Sequence, residues 1–266
     1  MSDWDPELYN RFRRYRAEPF ELILTRLAVQ PDDTIVDLGC GSGENTIELA
    51  RLASRGQATG IDSSSAMIAR AAALRDALEP ELRRRLSFVE GDFRDFAGDR
   101  EYSIVFSNAA LQWSRNHREV LARWSRALRP GGRIVVQMPS NHEETAQATL
   151  TDLARDAAWR GFIGDLETPS HVVESPASYR AILMAIGLVE VDCHYHIFHH
   201  PMESPAAIVE FCRATALRPF LARIPEARHA EFVAEFTRRL EQAYGTRGPL
   251  TFNFRRLFLW GRRADI

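Results

Sequence analysis

No lysine occurs in the 266 residues, so all 34 positive charges are arginine. That removes every chemistry built on a lysine amine: the Schiff base, the phosphate-loop lysine and the kinase-type lysine. Cysteine is scarce as well. Cys40, Cys193 and Cys212 show no Cys-x-x-Cys spacing, which excludes a disulfide framework or a zinc ribbon and fits a reducing cytoplasm. Long apolar runs are missing. The longest lies near 181–189, far short of the ~18 residues that span a bilayer, so no membrane association is expected. The first residues, Met1-Ser2-Asp3-Trp4-Asp5, are too acidic and polar for a secretory signal. Charge of one sign is lacking too: 34 basic side chains meet 36 acidic ones, for a net charge of −2. A nucleic-acid partner usually leaves a basic footprint, and none is expected here.

What is present is an ordinary globular composition, 45% hydrophobic and 26% charged, long enough for a sizeable core. Apolar periodicity predicts a helix over 18–29, with Phe20, Ile23, Leu24 and Leu27 on one face. A strand follows at Thr34–Leu38, a helix at Glu44–Leu52, a strand at 57–61, an alanine-rich helix at 64–78, and strands at Leu86–Glu90 and 103–106. A helix over 118–128 is closed by Arg129-Pro130-Gly131-Gly132, read as a helix stop and turn. A strand over 133–138 comes next. The alternation predicts an α/β fold with a parallel sheet and helices on both faces. Beyond it the pattern is less regular, with helices over 143–159, 178–186, 204–216 and 226–244 and strands over 188–198 and 250–260. We read a single domain over 1–266. Residues 1–30 form an N-terminal lid and first helix, 31–139 a cofactor-binding half, and 140–175 and 201–248 helical insertions that cap the active site.

The first strand runs into Gly39-Cys40-Gly41-Ser42-Gly43. Glycines between a strand and a helix let the backbone approach a ligand, and the helix start offers N–H groups to an anion. The dinucleotide fingerprint wants its third glycine one residue later, where Glu44 stands and would repel a pyrophosphate. A ligand with one small anionic end is favoured instead. Asp62, closing the second strand, has the place of a carboxylate that accepts both hydroxyls of a nucleoside ribose. It equally fits a helix cap with Ser63 and Ser64. Gly91-Asp92-Phe93 reads either as a plain turn or as a carboxylate and N–H facing an adenine edge. Asn108 and Trp113, in the loop after the fourth strand, flank the reacting centre or merely connect. His194 and His196 would share one face of a strand with Cys193 on the other, and no zinc-site spacing completes a shell, so no metal is expected.

Val36-Asp37-Leu38-Gly39-Cys40-Gly41-Ser42-Gly43, Asp62, Gly91-Asp92 and Leu128-Arg129-Pro130-Gly131-Gly132 together resemble the class I S-adenosylmethionine-dependent methyltransferases. The resemblance implies a Rossmann-like seven-stranded sheet with its last strand antiparallel. It also implies S-adenosylmethionine as cofactor, S-adenosylhomocysteine as product, and a cofactor site of Asp37, Gly39, Cys40, Gly41, Asp62, Ser63, Met67, Asp92, Phe93, Asn108 and Trp113. Trp4-Asp5-Pro6, Tyr9, Phe12, Arg16 and Pro19, with Asn108-Ala109-Ala110-Leu111-Gln112-Trp113 and Leu217-Arg218-Pro219-Phe220, are similar to the trans-aconitate 2-methyltransferases. Ser42 stands where that family has proline, and Glu44-Asn45 where it has Asn-Ser. The family forms a monomethyl ester on a carboxylate of trans-aconitate, and suggests a cytoplasmic monomer. The alternatives are another small acceptor, such as a malonyl thioester, or a non-catalytic nucleoside-binding protein on the same fold.

A carboxylate with a pKa near ~4 is already ionised at neutral pH, so no catalytic acid or base is expected. The rate gain comes from alignment and exclusion of water. An arginine clamped on the reacting carboxylate would withdraw its charge. Arginines are therefore expected on the two carboxylates that do not react, with Arg16 and Arg218 as candidates. Trp113 and Tyr9 are the expected aromatic neighbours of the substrate and the sulfonium. For Phe12, ordinary core packing is expected.

Overall fold

The computed structural model describes residues 12–166, 172–213, 215–246 and 248–265. Its sheet has seven strands in the order β3-β2-β1-β4-β5-β7-β6. They are β1 (Thr34–Leu38), β2 (Gln57–Asp62), β3 (Leu86–Glu90), β4 (Tyr102–Asn108), β5 (Leu128–Pro139), β6 (Leu188–Met202) and β7 (Leu250–Arg263), with β7 antiparallel. The pairs among β1 to β5 are parallel, with Asp37 beside Gly60 on one side and Phe106 on the other. β1 and β4 are buried almost throughout. That explains their largely apolar text, since helices cover both faces of a parallel sheet.

The principal helices are α1 (Arg13–Leu27), α2 (Glu44–Leu52), α3 (Ser65–Asp76), α4 (His117–Ala127), α5 (Thr145–Arg155), α6 (Pro176–Ala185), α7 (Pro205–Arg213) and α8 (His229–Tyr244). α1 begins a turn and a half earlier than the periodicity predicts. Pro19 lies inside it, and a sequence reading takes proline as a helix start because it lacks an N–H. The face of Phe20, Ile23 and Leu27 is nonetheless buried.

Where the sequence reads as one domain with insertions, the chain forms two compact units. One, the helical unit, comprises residues up to 19 with 140–171 and 197–256; the other, the sheet unit, comprises 20–139, 172–196 and 257–266. Each has its own core. In the sheet unit Val36, Leu38, Val105, Leu121, Trp124 and Tyr179 pack together. In the helical unit Phe211, Phe220, Phe232, Phe236, Phe252 and Trp159 do so. The amphipathic faces of α5, α7 and α8 carry enough apolar surface, aliphatic from α5 and partly aromatic from α7 and α8, to bury among themselves.

The segment Arg129-Pro130-Gly131-Gly132 stops α4 as expected, but it is not a turn between elements. It lies within β5, where the register jumps from Tyr102 opposite Leu128 to Ile104 opposite Arg133. The arginines flanking that irregularity hold the turn before β1. Arg133 meets the buried Asp33 carboxylate at 2.9 Å and Arg129 at 3.6 Å, and the Gln30 N–H donates to it at 2.8 Å. Asp33→Ala is expected to cost about 3 kcal/mol, the low end for breaking a buried pair, because Arg133 keeps some access to water. Urea unfolding measures it; a loss below about 1 kcal/mol would assign the pair no structural weight.

Candidate active site

The carboxyl ends of β1, β2, β3 and β4 bring the glycine loop, Asp62, Asp92 and Asn108 to one edge of the sheet unit. The loop is pinned from beneath. The Gly39 and Cys40 N–H groups both donate to the Ile61 carbonyl, at 2.8 and 3.0 Å. Gly39 has φ +79°, and a Cβ there would lie 2.2 Å from the Ala110 methyl, so only glycine fits. At Gly41, φ +55°, a Cβ would meet nothing within 4 Å. This is the open side of the loop.

Asp62 joins the loop to β2. One oxygen accepts the Gly41 N–H at 2.9 Å and the other the Ser64 N–H at 2.9 Å. The cap of α3 is Ser64, whose hydroxyl accepts from the Met67 N–H at 3.4 Å. Asp62 is therefore not the helix cap, and its oxygens retain lone pairs for further donors. Ser63 and Met67 are exposed beside it. Cys40 is half-buried, and burial pushes its thiol well above the usual range, so it is a packing residue rather than a nucleophile.

Asp37 lies below the loop, 2% exposed. Burial raises its pKa to about 7, against a hydrogen bond donated by the Thr46 hydroxyl at 2.6 Å that lowers it; the nearby Asp62 charge adds to the rise. A carboxylate disfavoured this way gains from any cation brought near. Thr46, fully buried on α2, is a residue the sequence reading missed. Its position nine residues after Asp37, on the helix that follows the loop, is the only local signal.

Asp92 is engaged from its own turn. Arg94 donates to it through its backbone N–H at 2.8 Å and through its guanidinium, and that contact holds the carboxyl below its ordinary range. Phe93 packs edge-on against Trp124, and its carbonyl accepts the Trp124 indole N–H at 2.9 Å. The turn reading thus describes what the Asp92 side chain does in this structure. After β4, Ala109 takes φ +57°, a left-handed conformation that costs alanine about 1–2 kcal/mol, and its N–H is held by the Gln137 carbonyl. Beside this strained residue the Asn108 side-chain oxygen is buried with no hydrogen-bond partner among the described residues. The same holds for the carbonyl oxygen of Gln112, a 5% exposed side chain whose amide donates to Ala109. Gln112 is a second residue the sequence reading missed. Trp113, by contrast, is 64% exposed at the end of a short 3-10 turn.

In the helical unit the Arg16 guanidinium lies 5.4 Å from the Phe211 ring centroid. Phe12 is buried against Phe211, a core role. Arg218 is exposed at the start of the short helix Arg218–Leu221. Tyr9, Trp4 and His171 lie outside the described residues. His194 and His196 both meet the Phe258 ring and so share a face.

The donor set fits S-adenosylmethionine. The loop is open at Gly41, a carboxylate with spare lone pairs closes β2, an orphaned acceptor stands at Asn108, and Asp37 wants a cation. A sheet of this order with that edge defines a class I methyltransferase. A methyltransferase-domain family matches residues 30–186. The trans-aconitate 2-methyltransferase of Paracidovorax citrulli (strain AAC00-1) is 36% identical over 99% of this chain and 100% of its own. That of Escherichia coli O1:K1 / APEC is 35% identical over the whole of both chains. The chain belongs to the trans-aconitate 2-methyltransferase family. Among solved structures, YcgJ of Bacillus subtilis superposes with a TM-score of 0.61 at 15% identity, over 94% of this chain and 99% of its own. The geranyl diphosphate C-methyltransferase of Streptomyces coelicolor A3(2) does so with 0.56 at 15%, over 99% and 85%. At such identities these two speak for the fold alone.

Proposed function

We propose that the protein transfers a methyl group from S-adenosylmethionine to one carboxylate of trans-aconitate, giving the monomethyl ester, and works as a cytoplasmic monomer. One observation carries the choice of acceptor. The relatives with that activity in their name match over essentially the whole length, including residues 187–266 beyond the general methyltransferase domain. The helical unit falls within the matched length.

When bound, the cofactor supplies an electrophilic methyl group on a sulfonium. The protein's task is to hold and align. Gly41 and Asp62 frame the nucleoside side, Asp37 lends negative charge beneath the loop, and Asn108 offers an acceptor at the end of β4. The acid arrives ionised, so no side chain need take a proton. Two carboxylates are held by guanidinium groups, while neutral donors orient the third and leave its nucleophilicity intact. Because the cations are arginines, acid binding is expected to stay level from about pH 7 towards pH 10.

The test is methyl transfer from labelled cofactor to a panel of trans-aconitate, other di- and tricarboxylates and a malonyl thioester. The highest kcat/KM is expected on trans-aconitate. A higher value on the thioester would move the protein to that acceptor class. Cofactor binding with transfer to nothing would make it a nucleoside-binding protein.

A further inference from the structure

We propose that Thr46 is a positioning residue for the cofactor: its hydroxyl, donated to Asp37, keeps that buried carboxylate charged and fixed to receive the cofactor's cationic end. Thr46 acts through Asp37, so the assignment rests on the placement of that end near Asp37 proposed above.

Asp37 stands in β1 with Gly60 beside it in β2 and Phe106 beside it in β4. Neither neighbour has a side chain that can donate a hydrogen bond. The carboxyl is 2% exposed, so water does little for it. The donor comes instead from α2. Thr46 is the third residue of that helix and is fully buried. Its hydroxyl gives one Asp37 oxygen a hydrogen bond of 2.6 Å, the length of a charge-assisted O–H···O bond. The start of α2 is fixed at Gly43, where φ is +83° and a Cβ would lie 2.6 Å from the Phe88 ring. That tight start holds α2 against the sheet and brings Thr46 onto Asp37. The other Asp37 oxygen is left for a further donor.

The charge on Asp37 needs this support. Burial disfavours it and Asp62 of β2 repels it, while the Thr46 bond favours it. The other groups around it bring no cation. Cys40 in the loop stays a thiol, held so by burial and by the Asp37 and Asp62 charges. Glu44 of α2 accepts from the Ser42 hydroxyl at 2.6 Å and lies 3.9 Å from Arg70. Glu48 and Arg51 of the same helix pair with each other at 3.0 Å, and β4 carries no acidic or basic side chain. A hydrogen bond to a charged acceptor shifts an ionisation equilibrium by about tenfold or more. The donor is also neutral. It stabilises the carboxylate without cancelling its charge, whereas an arginine there would repel the cofactor's cation.

Thr46→Val keeps the shape of the side chain and deletes the donor; Thr46→Ser keeps the donor. Calorimetry on the full chain gives the dissociation constant of S-adenosylmethionine from about pH 6 to 9. Wild-type affinity is expected to rise through a midpoint near pH 7. In Thr46→Val the midpoint moves up by about one pH unit, which weakens binding about fivefold at pH 7 and less than about twofold at pH 9. Thr46→Ser stays within about twofold of wild type throughout. A merely structural role would weaken binding by one factor at every pH and leave the midpoint in place. A sloped wild type with an unmoved midpoint in Thr46→Val overturns the assignment of Thr46 alone, as does a Thr46→Ser protein that behaves like Thr46→Val. A wild type with no slope overturns the placement near Asp37 and this proposal with it. If Thr46→Val does not fold, NMR of the wild type decides: a slowly exchanging Thr46 hydroxyl proton whose shift follows the Asp37 titration upholds the proposal, and one that exchanges freely or ignores that titration overturns it.

Discussion

Gly39→Ala is expected to abolish measurable turnover, whereas Gly41→Ala leaves a stable protein that binds its cofactor poorly. The two glycines are one residue apart and do different work. At Gly39 the added methyl would sit 2.2 Å from Ala110 with φ at +79°. The left-handed conformation costs about 1–2 kcal/mol, and the overlap forces a further shift worth about 1–3 kcal/mol. That shift pulls at the two N–H bonds to Ile61 and at the Gly41 bond to Asp62, so the loop and the nucleoside carboxylate move together. At Gly41 the methyl meets no protein atom, and only the conformational cost of about 1 kcal/mol remains. If the cofactor fills that open side, its KM rises by about tenfold or more from steric exclusion, with the melting temperature little changed. Thermal melts and cofactor titrations on both variants make the comparison. A Gly41→Ala protein with unaltered cofactor affinity would place the ligand elsewhere.

Asp37→Asn is expected to be more stable than wild type at pH 8 and no more stable at pH 4. The native pKa is raised to about 7 by burial, from about 3.9 in the unfolded chain. The folded state therefore keeps a proton that the unfolded state releases between those values. The contribution is fully present below about pH 4 and is lost as pH rises through 7, a difference on the order of 4 kcal/mol. Asparagine carries no such dependence. His200 acts in the opposite sense. Its pKa falls from 6.5 to about 4, so its contribution is present above 6.5 and lost as pH falls through 4. The two overlap and partly cancel in the wild type, and the difference between wild type and Asp37→Asn isolates the carboxylate. Cofactor binding supplies the functional side. A cation near Asp37 favours its ionised form, so wild-type affinity should tighten as pH rises through 7, and the slope should vanish in the variant. Urea melts and cofactor titrations at pH 5, 7 and 8 check both. A variant as unstable as wild type at pH 8 would show Asp37 to be ionised without cost.

The parts of this architecture that were legible in the sequence are those fixed by local chemistry. Gly39 and Gly41 announce a strand-to-helix loop, Asp62 closes the next strand, and the run of apolar residues in β1 and β4 announces a sheet covered on both faces. What stayed hidden depends on partners distant in the chain. The text Arg129-Pro130-Gly131-Gly132 reads as a turn, yet Arg129 and Arg133 reach back to Asp33, and pairing with β4 keeps the segment within a strand. Asp92 reads equally as a turn residue or as a carboxylate facing a ligand, and no spacing shows that Arg94 folds over it. The helical unit looks like insertions on a sheet because no periodicity reveals that Phe211, Phe232 and Phe252 share one core. Arg256 was one arginine among 34, with no spacing to mark it. That its guanidinium lies over the Phe254 ring is a product of tertiary packing.

A carboxylate of a tri-acid is the methyl acceptor under the function proposed above. The most direct measurement is the chemical identity of the product formed from methyl-labelled S-adenosylmethionine and trans-aconitate. One methyl group per acid is expected, in a bond that mild base hydrolyses to methanol. Label that resists base, or cofactor that binds while the acid remains unlabelled, would contradict it.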